Sequence, residues 1–447
     1  MIRKLLKKLT YTQIIVLSFV LVVLIGGTLL CLPISSADGN PTPPLNAFFT
    51  ATSASCVTGL IIYDTFTHWS FFGKVVIISL IQVGGLGFMS FISMFSVFLK
   101  KRISVYERRL LMQAEGNMRL SGVISLLKRI VYGTFMFEGI GAVILATRFI
   151  PKMGLKQGIL NAIFHAISAF CNAGFDLMGK YEQYSSVTHF ADDPVVLITL
   201  MALITIGGIG FLIWTDVLKF KTKFKKYSLH SKIVLSTSAI LIVIPTLLFL
   251  LFENNGVLKD MSVFDKIVNA TFLAISPRTA GFNSVNLTEI SQSSEIITDI
   301  LMLIGGSPGS TAGGLKTTTF AVLILSMIAA SRHDTHPQIF KRRLPDDILK
   351  QATAIFTIYV TASLVAITVI CALENSDIPS VAFEVISAIG TVGSTKGLTP
   401  TLCGISKIII MILMFGGRVG GLSFALFLAE KKENIPIDRP PENILVG

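Results

Sequence analysis

Ser380-Val-Ala-Phe383-Glu-Val-Ile-Ser387-Ala-Ile-Gly390-Thr391-Val392-Gly393 is one of four stretches in this chain built on a single cadence. The others run Asn46…Phe49…Ser53…Gly59, Asn161…Phe164…Ser168…Gly174 and Asn269…Phe272…Ser276…Gly281. In each copy an Asn or Ser opens, Phe follows three residues later and Ser seven residues later. A glycine comes six residues after that serine, or five in the third copy. Weak motifs that recur in register outweigh one strong motif, so the repeat organises the reading of the whole chain.

Composition sets the class. Of the 447 residues 52% are hydrophobic and only 14% charged, and mean hydropathy is +0.72. Soluble domains carry nearer a quarter charged residues, so a membrane protein is expected. The net charge of +12 would suit nucleic acid, but the basic residues cluster between apolar runs, where they read as topology signals; no nucleic-acid partner is expected. Five cysteines, at 31, 56, 171, 371 and 403, have neither metal-site nor disulfide-framework spacing and read as small buried apolar residues.

Around each cadence lies the same unit: an apolar span, a turn-rich loop, a short helix, a glycine-bearing strand and a second span. Spans are predicted over 12–32 and 71–99, 124–150 and 194–218, 232–252 and 296–330, and 348–373 and 406–429. The short helices, near 46–55, 159–169, 265–275 and 380–389, are too short to cross a bilayer. The fold expected is an all-α membrane protein with eight transmembrane helices in four repeats, over 10–100, 121–220, 230–330 and 346–430, with a tail over 431–447. The N-terminus, 100–129, 219–232, 332–350 and the tail hold 26 of the 38 Lys and Arg residues, which places those segments and both termini in the cytoplasm. Some of these basic runs would also meet anionic membrane lipids.

Short helices and glycine backbone at membrane depth are tolerated only where they are buried or line a watery path. A helix ending partway in presents its negative C-terminal dipole end, which favours a cation. The strand beyond it can offer carbonyl oxygens in place of a hydration shell. The candidate ion-binding strands are Val57-Thr58-Gly59, Asn172-Ala173-Gly174, Thr279-Ala280-Gly281 and Thr391-Val392-Gly393. The last closely resembles the Thr-Val-Gly core of potassium-channel filters, and backbone carbonyls would hold K+. Ordinary re-entrant turns with small packing residues are the blander alternative. Four copies in register favour the filter.

Each second span carries paired glycines: Gly84-Gly85, Gly207-Gly208, Gly305-Gly306 and Gly416-Gly417. Such pairs permit close helix approach or a kink. In the third span Gly305, Gly306, Ser307, Pro308, Gly309, Ser310, Thr311, Ala312, Gly313 and Gly314 interrupt the apolar run, predicting an intramembrane loop that could obstruct a path below the filter. The run nearly spells a phosphate-binding loop, but Leu315 intervenes before Lys316 and no strand precedes it, so nucleotide binding by this chain is rejected. Lys316 and Arg418 lie at membrane depth, where charges usually serve function. Arg418 is read as an electrostatic barrier at the gate; the alternative is a guanidinium tying down carbonyls freed by the broken helix. Glu138, also mid-span, is read as a bond to a neighbouring helix.

The four units, the run Ser276-Pro277-Arg278-Thr279-Ala280-Gly281-Phe282 and the glycine pairs resemble the Trk/Ktr/HKT superfamily of potassium transporters. Length brings the chain closest to its KtrB-type subunits (KtrB and KtrD). The resemblance covers residues 10–447. It implies one pseudo-fourfold ion pore per protomer, a homodimer whose association the tail assists, and potassium uptake in a bacterial plasma membrane. It implies that Na+ acts as activator or co-ion, that 305–314 with Lys316 and Arg418 form the gate, and that no cofactor binds this chain. Nucleotide (ATP or ADP) would sit on a cytosolic ring of KtrA- or KtrC-type RCK regulatory subunits. A less selective Na+/K+ channel or a cation-coupled symporter is the alternative; an enzyme is not expected. Two departures put affinity and selectivity in question: Lys396 near the outer mouth, read as a solvated loop lysine or a charge repelling cations, and Asn172, to which no role is assigned.

Overall fold

With no water at hand to satisfy the backbone, a long apolar run resolves its hydrogen bonds within itself as helix. The computed structural model describes residues 10–87, 123–334 and 336–420, and among these the chain is helical apart from loops and one small hairpin. The predicted basic segments before residue 10 and over 100–122, the ends of two second spans (88–99 and 421–429) and the tail lie outside the described residues.

Helix α1, Tyr11–Cys31, opens on a capping box in which Thr10 and Gln13 satisfy each other's backbone N–H. The short α2 (Pro44–Ser55) and α3 (Phe71–Leu86) follow. Next come α4 (Val123–Met153) and α5 (Leu155–Cys171), then α6 (Pro194–Ile209) and α7 (Phe211–Phe220). Beyond them lie α8 (Leu229–Phe252), the short α9 (Val263–Ile275), α10 (Gln292–Leu303) and α11 (Thr317–Ser331). The hairpin of β1 (Gln338–Ile339) and β2 (Arg342–Arg343) leads to α12 (Asp346–Glu374), α13 (Ile378–Gly390) and α14 (Gly404–Val419).

Among the described residues, four helices are long and apolar enough to cross a membrane, or five if α6 and α7 count as one bent span. Three second spans predicted as continuous are interrupted among the described residues, at Gly87, Gly210 and Gly420, while the break in the third falls where the sequence predicts an intramembrane loop. Helix α3 stops at Leu86, α6 turns by 97° into α7, α10 and α11 are separated by residues 304–316, and α14 stops at Val419. Glycines in these pairs and a few residues beyond them explain the difference. Three of the breaks fall on a glycine of positive φ (Gly87, Gly210 and Gly420), a conformation unfavourable for other residues. Close approach contributes as well: a methyl on Gly84, Gly207 or Gly417 would overlap the carbonyl oxygen of Ser55, Phe170 or Ile389. Among the described residues α6 bends away where α5 ends against it, and α3 and α14 end where α2 and α13 press on them.

The short helices gain length at their starts from local caps: Pro44 at the first turn of α2, Ser262 before α9 and Asp377 before α13. Their cadence phenylalanines (Phe49, Phe164, Phe272 and Phe383) are all buried, anchoring each short helix in the apolar core. Removing each ring from an apolar surrounding would cost on the order of 3 kcal/mol or more.

Candidate functional site

The cadence serine closes the end of each short helix. Its carbonyl accepts from the N–H of the middle strand residue in every copy: Thr58 to Ser53, Ala173 to Ser168, Ala280 to Ser276 and Val392 to Ser387, each at 2.8 Å. Its hydroxyl makes a second tie. In the first and fourth copies it accepts from the glycine N–H at 3.1 Å (Gly59 to Ser53, Gly393 to Ser387). In the second and third it donates to the carbonyl of the following phenylalanine, Phe175 or Phe282. The missing residue of the third copy is absorbed between Ser276 and Thr279, so the same bond forms across a tighter turn.

These ties force an unusual backbone. Val57, Asn172, Thr279 and Thr391 have φ between 53° and 79°, and the glycines two residues on have φ between 70° and 96°, with a residue of negative φ between each pair. Left-handed conformation is costly for β-branched Val and Thr, on the order of 1–3 kcal/mol each, and persists only where surrounding structure over-determines it. Alternation of this kind turns successive carbonyls toward one side. Among the described residues the hydroxyls of Thr58, Thr391 and Ser394 are buried without a protein partner, so they are available to a cation or to water.

The four strands close a ring. A methyl on Gly59 would stand 2.5 Å from the carbonyl oxygen of Ala173, and one on Gly174 would stand 2.8 Å from that of Ala280. On Gly281 it would overlap the Val392 carbonyl, and on Gly393 the Thr58 carbonyl. Each glycine thus faces the next copy in chain order, and the fourth returns to the first. The ring is narrow, since the same methyl on Gly174 lies 3.4 Å from Val392 O on the strand opposite. The C-terminal ends of α2, α5, α9 and α13 converge here, bringing four negative dipole ends to one place.

Residues 304–316 lie against this ring. A methyl on Gly313 would overlap the Thr391 side chain, and one on Gly314 would stand 2.8 Å from the Gly390 carbonyl. The segment is pinned to the broken second helices around it. Ser307 N donates to Gly208 O at 3.0 Å, Thr311 N to Gly207 O at 3.3 Å, Phe211 N to Gly309 O at 2.7 Å and Gly314 N to Gly417 O at 3.2 Å. Thr311 Oγ1 donates to Phe170 O at 3.0 Å. Its own ends are joined by Gly305 N to Leu315 O at 2.8 Å and Thr317 N to Gly306 O at 3.0 Å. Ser310 Oγ donates to Ser307 O at 2.6 Å. Ala312 fills the space a side chain on Gly306 would need.

Both predicted intramembrane cations are spent on carbonyls here. Lys316 Nζ donates to Ala312 O at 2.7 Å and Gly313 O at 3.3 Å. Arg418 donates to Thr311 O from one nitrogen and to Gly84 O and Gly85 O from another, the last at 2.9 Å. Arg418 thus makes the contacts of the tying alternative, and one of the tied carbonyls belongs to the segment 304–316 itself. Arg278 reaches α8, where it donates to Ser238 at 3.3 Å. Glu138 accepts from Gln82 Nε2 at 3.1 Å, joining α4 to α3.

The two departures from the family pattern acquire reasons. Lys396 is not a solvated loop lysine: it is half-buried and pairs with Glu295 at 2.9 Å, so its charge is compensated. Asn172 sits in the left-handed C-cap position of α5 at φ 57°, where Asn is among the better tolerated side chains. With its amide nitrogen directed inward it donates to Ala169 O at 3.0 Å and Ile204 O at 3.2 Å.

Sequence reasoning missed the residues that hold the strands from outside the ring. Glu384 on α13 and His165 on α5, each just after the cadence phenylalanine, bond the outer turns of their own copies. Tyr184 and Ser186 bond those of the first and third. For Glu384 and His165 the signal was a buried polar residue at one fixed position in the cadence.

Comparison with known proteins agrees with this architecture. The family model "TrkH: Cation transport protein" matches residues 6–435. The chain is 40% identical over 99% of its length, and 98% of the relative's, to the potassium/sodium uptake protein NtpJ of Enterococcus hirae. It is 38% identical to the Ktr system potassium uptake protein B of Bacillus subtilis, over 98% of this chain and 97% of that one. In fold it resembles the crystal structure of the potassium transporter TrkH from Vibrio parahaemolyticus, with a TM-score of 0.71 at 18% identity over 92% of this chain and 84% of that one.

Proposed function

The chain belongs to the TrkH family of cation transport proteins, a membrane transporter family and not an enzyme family, and from that premise we propose that it takes up potassium through the glycine ring. The observation carrying this reading is the closure of four glycine–carbonyl contacts in chain order. A ring of backbone oxygens backed by four helix C-termini can replace the hydration shell of a monovalent cation with no side-chain charge to trap it. In this reading the chain forms eight spans in four repeats, over 10–100, 121–220, 230–330 and 346–430. The strands 57–59, 172–174, 279–281 and 391–393 are the four walls of a selectivity filter.

The walls are unequal, since only the fourth is Thr-Val-Gly. Fewer well-formed binding positions follow than in a symmetric channel, with preference for potassium retained. The name of the Enterococcus relative, a potassium/sodium uptake protein, favours a second reading in which both ions pass. Na+ serves in the first reading as activator or co-ion and in the second as a permeating ion.

The segment 305–314, with Lys316 and Arg418, acts as the gate. It lies against the ring, is rich in glycine and is held by hydrogen bonds that a small movement would exchange. Relatives named as parts of Ktr systems support a multi-component assembly. The protein would then work as a homodimer in a bacterial plasma membrane, both termini cytoplasmic. A cytosolic RCK ring carrying nucleotide would move the gate.

The test is labelled-rubidium uptake into proteoliposomes, competed by K+ or Na+, with and without the ring proteins. Strong competition by K+ and weak competition by Na+ supports the filter. Equal competition favours the second reading, and no uptake under any condition sinks both.

A further inference from the structure

Glu384 is 1% exposed, yet among the described residues its carboxylate makes no ion pair. It accepts hydrogen bonds only from the turn just beyond the fourth strand. Oε1 accepts from the Thr395 hydroxyl and from Leu398 N at 3.2 Å, and Oε2 accepts from Thr399 Oγ1 at 2.8 Å. Thr395 in turn accepts from Gly397 N at 2.9 Å, so one carboxylate organises the whole stretch that follows Gly393 and Ser394. A buried carboxylate without these donors would be strongly unfavourable, so the turn and the side chain hold each other in place.

The matching position in the other copies is occupied differently. His165 in the second lies fully buried, with Nδ1 on Asn161 O at 2.8 Å and Nε2 accepting from Leu177 N at 3.5 Å. Thr50 in the first bonds its own helix at Asn46 O, and Leu273 in the third is apolar. The first and third strands are held from elsewhere, by one loop of the second unit. Tyr184 OH donates to Ile62 O at 3.0 Å, Asn283 N donates to Ser186 Oγ at 3.0 Å, and Val187 N donates to Asn283 O at 3.1 Å. In ring order the second and fourth strands stand opposite each other. One diagonal is therefore braced from within its own short helices, the other from a surface loop.

We propose that Glu384 is a positioning residue for ion selection: by holding Thr395, Leu398 and Thr399 it fixes the outer end of the fourth strand, and with it the ring width across Gly174 and Gly393. The proposal rests on the filter reading above. It assigns to a side chain outside the ring the discrimination that the Thr-Val-Gly strand delivers. Carbonyl oxygens select by how closely they stay at the spacing one ion prefers, and a fixed diagonal keeps that spacing.

The experiment measures rubidium uptake by the full chain in proteoliposomes, recording apparent KM and the Na+ excess needed for half inhibition. Glu384→Gln, Thr395→Val and Thr399→Val are compared with wild type, alongside the thermal midpoint of each. Expected are midpoints within a few degrees of wild type for the threonine variants. Their Na+ excess falls about tenfold, and their apparent KM rises more than their maximal rate changes. Glu384→Gln shifts the same way. If it does not fold, the double Thr395→Val/Thr399→Val variant carries the test. Wild-type discrimination retained in every folded variant overturns the proposal. A wild type that does not discriminate rubidium from sodium removes the filter reading instead, and the proposal with it.

Discussion

Arg418 donates to the Gly85 carbonyl at 2.9 Å, across 333 residues of chain, and the same guanidinium also holds Gly84 and Thr311. One planar side chain thereby joins the end of α3, the end of α14 and the segment beneath the ring. Hydrogen bonds from a charged donor are worth roughly 1.5–3 kcal/mol each, enough to keep that segment in place. Arg418→Ala should free it, raising rubidium uptake about tenfold or uncoupling it from the proposed cytosolic ring. Arg418→Lys should behave alike, because a point charge cannot span carbonyls on two segments. Unchanged flux with unchanged regulation in both variants would count against this role.

Gly393 and Gly397 form a matched pair of probes. Both have positive φ, but a methyl on Gly393 would overlap the Thr58 carbonyl, whereas Gly397 has open space around it. Alanine at either position costs backbone strain of about 1 kcal/mol. Only at Gly393 does it also push two strands apart. Gly393→Ala should lower rubidium uptake by about one to two decades, while Gly397→Ala stays within roughly threefold of wild type. Comparable losses at both positions would mean that strain, not the closure of the ring, explains the effect.

The ion pair of Lys396 with Glu295 predicts what its loss will not do. If Lys396 repelled incoming cations, its removal would tighten apparent affinity. Because its charge is compensated, Lys396→Ala should leave the KM for rubidium within about twofold. A double-mutant cycle with Glu295→Ala should show coupling in stability of about 1 kcal/mol. A severalfold gain in affinity on losing the lysine would restore the repulsion reading.

Much of the fold could be read directly, because burial and periodicity leave marks on neighbouring residues. The cadence phenylalanines point to a buried face, and the serine-to-glycine spacing marks a helix end whose carbonyl takes the next strand's N–H. The breaks in α3 and α14 could not be read, since paired glycines serve close packing and bending equally well. Only the carbonyls of Ser55 and Ile389 pressing on Gly84 and Gly417 separate the two. Long-range partners were likewise hidden: Lys396 and Glu295 lie 101 residues apart, and Arg418 and Thr311 lie 107 apart. For Asn172 the missing information was a backbone angle, which sequence alone does not state.

In the proposed filter, Asp176, two residues beyond Gly174, couples ion entry to pH. Burial pushes its carboxyl up to about 7 and the nearby Asp64 carboxylate adds to this, against a hydrogen bond from Met178 N at 2.8 Å. The folded value exceeds the unfolded one near 3.8. The stability tied to this group is therefore fully present below pH 3.8 and is lost as pH rises through about 7. Thermal midpoints should thus decline between pH 5 and 8 more steeply in wild type than in Asp176→Asn. Uptake should move the other way, rising roughly threefold from external pH 6 to 8 as a carboxylate forms beside the path, and should stay flat in Asp176→Asn. Parallel pH profiles in the two proteins would exclude Asp176 as the titrating group.

The claim that the four strands hold the ion by backbone oxygens is tested most directly by anomalous diffraction from crystals soaked in a thallium salt, thallous ion standing in for potassium. The account predicts a strong peak inside the ring, bounded by the carbonyls of Thr58, Ala173, Ala280 and Val392. Peaks confined to side-chain carboxylates such as Asp64, Asp176 or Glu138, with none inside the ring, would contradict it.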